Sequence, residues 1–242
     1  LSSKPMKILE IGSGITALSY ILAKRGHEVF AVEPVRSGYH NSRKILSTIL
    51  KEANRLENFH FQDMKVQDFK GDRTFDLLFS VNVFEHLDDV DAALGVVSQS
   101  LAKDGVAIIA FPNYHFPYES HYGLPVFGTK KMTKAIFKDA IRRYDDENKT
   151  HGLWETLNFL TSSEFKRIAR GQSLRVTYER NIMEWMFLRV SADEEFMKRH
   201  RKIAPILSFV LKSRMFKLFR YFPIRFHPYC YAELRRAKPG AA

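Results

Sequence analysis

Residues 8–18 read Ile-Leu-Glu-Ile-Gly-Ser-Gly-Ile-Thr-Ala-Leu, and the fold turns on them. Ile8, Leu9 and Ile11 form a short apolar run of the kind that makes a strand buried on both faces. Gly12 and Gly14 follow at once. Ala17, Leu18, Ile21 and Leu22 then recur at helical spacing. Strand, glycine turn and helix in that order open a doubly wound α/β sheet. The two glycines remove Cβ atoms where the chain reverses, so that backbone can lie against a ligand.

The pattern continues outward. A helix is expected over 16–25, capped by Gly26, then a strand over 28–32 closing on Glu33-Pro34. Ser42 to Arg55 carries Ile45, Leu46, Ile49, Leu50 and Ala53 on one face and reads as the second helix. Residues 58–62 form a short third strand, with Asp63-Met64 directly behind it. Strand four is read over 75–80, a helix over 90–102, and strand five over Val106 to Phe111, apolar throughout. Thr161 with Glu164 three residues on is a capping-box start for a further helix, followed by a strand over 174–178. Residues 228–235 read as a last, antiparallel strand. The expected architecture is therefore a seven-stranded, mostly parallel, Rossmann-like sheet in one domain over 1–242. Two insertions interrupt it: 112–160, read as a substrate lid, and 181–227, read as a basic amphipathic helical segment.

With 242 residues, 45% of them hydrophobic, the chain can bury a substantial core. Its single cysteine, Cys230, excludes an internal disulfide or a cysteine-based metal cluster and fits a reducing, cytoplasmic compartment. No apolar run reaches membrane-spanning length. The chain opens at Leu1 a few residues before its first strand, so a preceding segment is expected. A formal net charge of +11 favours anionic partners.

Two ligand classes use such a glycine turn. Gly12-Ser-Gly14-Ile-Thr-Ala17 satisfies the dinucleotide pattern, and Glu33 stands about 20 residues on, where a carboxylate accepts ribose hydroxyls. That reading gives an NAD(P)-dependent oxidoreductase. Glu10 points elsewhere: Glu-x-Gly-x-Gly resembles motif I of the class I S-adenosylmethionine-dependent methyltransferases, with Thr16 at the usual third glycine. Phe75-Asp76 resembles that family's entry to strand four. Glu85-His86-Leu87 resembles its ubiquinone-biosynthesis O-methyltransferases, and Lys103-Asp104-Gly105 its turn before strand five. The resemblance covers about 7–111 and 161–236. It implies S-adenosylmethionine as cofactor, held by Glu10, Gly12, Ser13 and Gly14 at the methionine end, Glu33 and Pro34 at the ribose, and Asp63 and Met64 at the adenine, with Asp68 a competing acid. Ser80 and Asn82 face the same crevice. A non-catalytic binding protein on this fold is the remaining alternative.

Sulfonium chemistry needs little from the protein beyond aim, but an oxygen acceptor needs somewhere to leave its proton, and histidine titrates near neutrality. His86, His121 and His151 are candidates, with Tyr122, and with Tyr118 and Glu119 in the aromatic stretch 114–125 that follows strand five. In the related ubiquinone-type and RNA 2′-O-methyltransferases, Glu-x-x-Glu-His and a later histidine hold a divalent metal. Here Asn82 takes the first position and His151 resembles the later histidine, and the sequence is read without a metal. The expected reaction is O-methylation of an apolar, amphipathic or lipid-like small molecule. From Phe196 to Phe226 nine Lys or Arg residues and no Asp or Glu interleave with bulky apolar side chains, which suggests attachment to an anionic membrane surface. Nucleic acid is a weaker partner, since no RNA-binding motif accompanies the charge.

Overall fold

The computed structural model describes residues 4–35, 40–70, 73–192, 209 and 212–237. Among the described residues, nine strands and seven α-helices follow in chain order: β1 Lys7–Ile11, α1 Ala17–Lys24, β2 Glu28–Val32, α2 His40–Ala53, β3 Phe59–Gln62, β4 Phe75–Val81, α3 Val90–Ser100, β5 Leu101–Pro112, β6 Tyr118–Glu119, β7 Leu124–Pro125, α4 Lys130–Asn148, α5 Leu153–Thr156, α6 Ser162–Gly171, β8 Leu174–Tyr178, α7 Ile182–Ala192 and β9 Tyr229–Arg236. Seven strands form one sheet in the order β3-β2-β1-β4-β5-β9-β8. The pairings from β3 across to β5 are parallel, while β9 runs antiparallel to both β5 and β8. The strand order reverses beside β1, the switch point at which open α/β sheets bind ligands outside the carboxyl ends of their strands.

β1 is central, and Ile8, Leu9 and Ile11 are almost wholly buried. One face of the sheet is packed by Leu9, Ile11, Phe30, Phe84, Phe111 and Phe165, the other by Ile8, Val29, Leu22, Ala53 and Phe59. This two-sided cover is why these strands carry unbroken apolar runs rather than alternation. The expected capping box on α6 is present in part: Thr161 Oγ1 accepts the Glu164 N–H at 3.2 Å. The 12-residue strand β5 begins at Leu101, five positions earlier than its apolar run suggests. Lys103-Asp104-Gly105 is thus not a turn between elements but an irregularity within the strand, where the register with β4 shifts between the pairs Phe75–Leu101 and Leu77–Val106. A Cβ on Gly105 would stand 2.7 Å from the Phe75 carbonyl oxygen, which only glycine avoids.

The insertion 112–160 has its own small core. The β6–β7 hairpin is followed by α4 and α5, and Tyr122, Ile141, Trp154 and Leu157 pack together beneath them. In the second insertion α7 packs against a 3-10 segment, Met215–Tyr221. Residues 193–208, 210 and 211, which carry much of the expected basic amphipathic stretch, lie outside the described residues. Among the described residues no helix is long and apolar enough to cross a membrane.

Candidate active site

The turn after β1 is tied to β2: the N–H groups of Gly12 and Ser13 both donate to the Val32 carbonyl, at 2.8 and 3.2 Å. Gly12 and Gly14 have φ of +70° and +54°, a region that costs a side-chain-bearing residue about 1–2 kcal/mol. Thr16, in place of a third glycine, also adopts positive φ and is fully buried. Glu33, just past β2, accepts the Gly14 N–H on Oε2 at 3.0 Å, and Asp63, past β3, accepts the Val35 N–H at 2.9 Å. Each carboxylate therefore ties down a loop at the carboxyl ends of the strands. Met64 packs against the core on the same side. Pro34 continues the Glu33 turn.

Glu10, at the end of β1, is buried and its carboxylate accepts a short hydrogen bond from Ser19 Oγ. Burial raises its pKa to about 7 against the opposing pull of Ser19, with the nearby Glu33 adding repulsion. Burial raises Glu33 as well. Ser13 Oγ is buried with no partner among the described residues. An orphaned hydroxyl, two raised carboxylates and a turn without Cβ atoms together fit a cationic, phosphate-free ligand better than a pyrophosphate.

Beyond β4 the chain makes a 3-10 turn, Phe84–His86. Asn158, which the sequence did not single out, holds that turn from the insertion: its side chain donates to the carbonyls of Phe84 (2.7 Å) and Leu87 (3.0 Å), and its backbone N–H to that of Glu85 (2.8 Å). The turn presents Glu85 and His86 to His121, which arrives from β6–β7. Glu85 Oε1 lies 3.9 Å from Nε2 of each histidine. The two rings meet edge to face at 5.1 Å. Glu85 is fully buried, and neither carboxylate oxygen has a hydrogen-bond partner among the described residues. Burial raises its pKa to about 7, with the charge on His121 opposing. His86 is pushed down to about 4 by burial and then by His121, so at neutral pH its ring is uncharged.

Glu119 is the hub behind His121. Its buried carboxylate takes His121 Nδ1 at 2.6 Å, the N–H groups of His121 (3.1 Å) and Tyr122 (2.7 Å), and the Tyr114 hydroxyl (3.1 Å). Burial alone would raise Glu119, but these donors outweigh it and hold it below the usual carboxylate range. Burial likewise disfavours charge on His121, yet Glu119 and then Glu85 leave its pKa above the ordinary histidine value.

Three expected roles do not match these positions. Ser80 is buried inside the sheet and spends its hydroxyl on the Ile11 carbonyl at 2.9 Å, joining β4 to β1 rather than facing the crevice. Tyr122 is buried in the core of the insertion, donating to Asp145 at 2.8 Å, and burial with that carboxylate raises its phenol far above neutrality. His151 is largely exposed, 3.6 Å from Asp146, and does not join the cluster. Asn82 does sit at the rim, with φ of +56°, where the Tyr229 hydroxyl donates to its side-chain oxygen at 2.5 Å. Tyr229, Asn158 and Glu119's central place were not legible beforehand. The one sign for Glu119 is that it is the lone acid in the aromatic run 114–122.

The methyltransferase domain family matches residues 1–179. An uncharacterised protein of Mycobacterium tuberculosis (strain H37Rv) is 33% identical over 224 residues, 91% of this chain and 75% of that one. The ubiquinone biosynthesis O-methyltransferase of Rickettsia typhi is 24% identical over 108 residues, 45% of this chain and 42% of that one. Among solved structures, an S-adenosylmethionine-dependent methyltransferase from Mesorhizobium loti shares the fold with a TM-score of 0.58 and 12% identity, covering 98% of this chain and 93% of its own. With the family match, the strand order and the glycine turn flanked by Glu10 and Glu33 in agreement, the chain belongs to the class I S-adenosylmethionine-dependent methyltransferases.

Proposed function

We propose that this methyltransferase acts on an oxygen of an apolar or amphipathic small molecule held between the glycine turn and the insertion 112–160. The observation that carries the reading is the Glu85–His86–His121 cluster, a basic, half-dry site built from both the sheet and the insertion. S-Adenosylmethionine, when bound, supplies an already activated methyl group. Gly12, Ser13 and Gly14 would receive its methionine end, Glu33 and Pro34 its ribose, and Asp63 and Met64 its adenine, with Asn82 at the rim. The methyl would pass to the acceptor oxygen with the C–S electron pair left on the departing thioether, and the Glu85–His86–His121 cluster would take the acceptor's hydroxyl proton. Of the four candidate catalytic residues, His86 and His121 keep that role. Stacked Tyr114 and Phe159, with ring centroids 4.3 Å apart, give an apolar flank. The test is transfer of labelled methyl from the cofactor into a lipid and metabolite extract. Label in an O-methylated lipophilic product supports the reading, and label only in polar amines overturns it.

The raised carboxylates make cofactor binding pH-dependent. Glu10 is half-protonated near pH 7 and Glu33 sits above the usual range, whereas a cationic ligand favours their ionised forms. Affinity for S-adenosylmethionine is expected to rise from pH 6 to 8, approaching about tenfold per unit below the Glu10 pKa and levelling off above it. Calorimetry across this range checks the sign. Glu10→Gln should flatten the slope.

The acceptor class also suggests a membrane-presented substrate. Trp185, Leu188, Leu218, Tyr221, Phe222 and Phe226 are exposed beside Lys212, Arg214, Lys217, Arg220 and Arg225. Each such cation near an anionic leaflet contributes about 1 kcal/mol. Trp154, the other tryptophan, is buried, so a blue shift of emission on adding phosphatidylserine vesicles reports Trp185 entering the interface. The shift is expected to vanish at high salt and with neutral vesicles. Unchanged emission in phosphatidylserine would reject membrane attachment through this face.

A further inference from the structure

We infer that Tyr229 and Asn82 select an oxygen acceptor over a nitrogen one: the Tyr229 hydroxyl turns the Asn82 amide so that its N–H groups, not its oxygen, meet the acceptor. The inference rests on the O-methyl-transfer reading of the same cleft and names the pair of residues that enforces it.

Position is the first support. Asn82 directly follows β4, and its backbone N–H donates to the Ala110 carbonyl of β5 at 2.9 Å. The next residue, Val83, lies so close to the glycine turn that a Cβ on Gly12 would meet its methyl group at 2.2 Å. Glu85 is three residues on. Asn82 therefore stands between the residues proposed for the cofactor and those proposed to take the acceptor's proton. Its φ of +56° lies in the left-handed region, which asparagine tolerates better than most residues. Such conformations persist where the surroundings impose them, and they gather at functional sites.

The second support is the direction of the amide. Tyr229 pairs with Pro112 at the end of β5, and its hydroxyl donates to Asn82 Oδ1 at 2.5 Å. Burial, and then the negative charge of Glu85, keep the phenol protonated, so it presents a donor that the amide meets with its oxygen. Asn82 Nδ2 makes no hydrogen bond among the described residues. An amide carries its acceptor on one branch and its two donors on the other. Fixing Oδ1 on Tyr229 thus leaves the N–H groups turned away from the phenol, on an exposed residue at the rim. The sequence resemblance places a glutamate here, and an ionised carboxylate offers no donor at all.

The third support is the count of lone pairs. A hydroxyl oxygen has one proton and two lone pairs. In methyl transfer the proton passes to the Glu85–His86–His121 cluster and one lone pair forms the C–O bond, the C–S electron pair staying with the departing thioether. The second lone pair is left to accept an Asn82 N–H, and that bond holds the oxygen in line with the methyl. A neutral amine has a single lone pair, which the new bond consumes. Its N–H groups would face those of Asn82, donor against donor, and an unpaired donor costs more than a contact never made. An amide turned the other way would reverse the preference.

The test uses the full chain with methyl-labelled S-adenosylmethionine and the lipid and metabolite extract, the labelled products being divided by acid extraction into amines and neutral O-methyl compounds. Wild type is expected to label the neutral fraction. Asn82→Asp keeps the side chain's shape and its bond from Tyr229 but puts an acceptor where the donors were, and should lower that labelling about 100-fold. Tyr229→Phe frees the amide to turn and should lower it about tenfold, raise the share of label in amines, and leave S-adenosylmethionine affinity by calorimetry and the unfolding midpoint close to wild type. Tyr229→Phe added to Asn82→Ala should cost nothing further, because the tyrosine acts only through the amide. Neutral-fraction labelling and an oxygen-to-nitrogen ratio that Tyr229→Phe and Asn82→Asp both leave unchanged overturn the inference and spare the O-methyl-transfer reading. A loss in Tyr229→Phe that adds to that of Asn82→Ala also overturns it. Wild-type label in amines alone, or in nothing, overturns the O-methyl-transfer reading itself, and the inference with it.

Discussion

Replacing Gly12 by alanine is expected to lower affinity for S-adenosylmethionine about 100-fold or more, equivalent to about 2.8 kcal/mol, and to destabilise the fold at the same time. Two effects add. Gly12 has φ of +70°, which costs an alanine about 1–2 kcal/mol. The new Cβ would also stand 2.2 and 2.8 Å from the two methyl groups of Val83 and 3.0 Å from its Cβ. A β-branched side chain has few rotamers to retreat into, so Val83 must move with its backbone, and overpacking of this kind costs about 1–3 kcal/mol. Val83 immediately precedes the turn bearing Glu85 and His86, so the displacement reaches the acceptor side too. The double variant Gly12→Ala/Val83→Ala separates the causes: it should recover the part due to the clash and leave the backbone strain. Calorimetry and thermal unfolding of the four proteins of the cycle read both. Cofactor binding by Gly12→Ala within a factor of three of wild type would show that this turn does not approach the ligand.

The second large effect is expected at Glu119. Truncation to alanine strands His121 Nδ1, the Tyr114 hydroxyl and two N–H groups in a buried place, and losing one partner of such an arrangement costs about 3–5 kcal/mol. For a chain of this size that lowers the unfolding midpoint by on the order of 10 °C. Methyl transfer should fall with it, because His121 loses both its orientation and its counter-charge. Glu119→Gln keeps the volume and tests the charge alone. The pH dependence gives a further check. Glu119 is held below its unfolded pKa of about 4.3, so its contribution is complete above that value and is lost as pH falls through the lower, folded one. Wild type should therefore lose, between about pH 5 and pH 3, a part of its stability that Glu119→Gln never had. A midpoint for Glu119→Ala within 2 °C of wild type would mean the hub carries no such load.

The sheet was legible because its strands are parallel and covered on both faces: Ile8 to Ile11, Val29 to Val32 and Val106 to Phe111 stand out as apolar runs without knowledge of their partners. The cofactor side was legible for a similar reason. Gly12, Gly14 and Glu33 lie on one strand–turn–helix–strand unit, and local geometry nearly determines where they go. The acceptor side was not. Glu85 and His86 are 35 residues or so from His121, and what joins them is a two-residue hairpin strand and one asparagine, Asn158, from the far end of the insertion. Nothing in the spacing distinguishes His121, which the hairpin turns inward, from His151, which the α4–α5 turn leaves in water. Tyr122 fills the core of the insertion, and an aromatic loop residue looks the same in sequence whether it lines a cleft or fills a core. The early start of β5 was hidden by Lys103 and Asp104, polar residues at the exposed end of a strand whose remainder is buried.

Asn113 has a consequence for what the last strand holds in place. At the end of β5 its side chain donates to the carbonyls of Ile224 (2.9 Å) and His227 (2.8 Å), and its oxygen receives the N–H groups of His115 and Ser162. Tyr229 reaches Asn82 only two positions after His227. The residues proposed to hold the methyl donor thus lie in the first third of the chain, while the cover over the end of β5 is pinned by residues next to the last strand. Loss of that strand would leave the donor side with its own loops but unroof the side proposed for the acceptor.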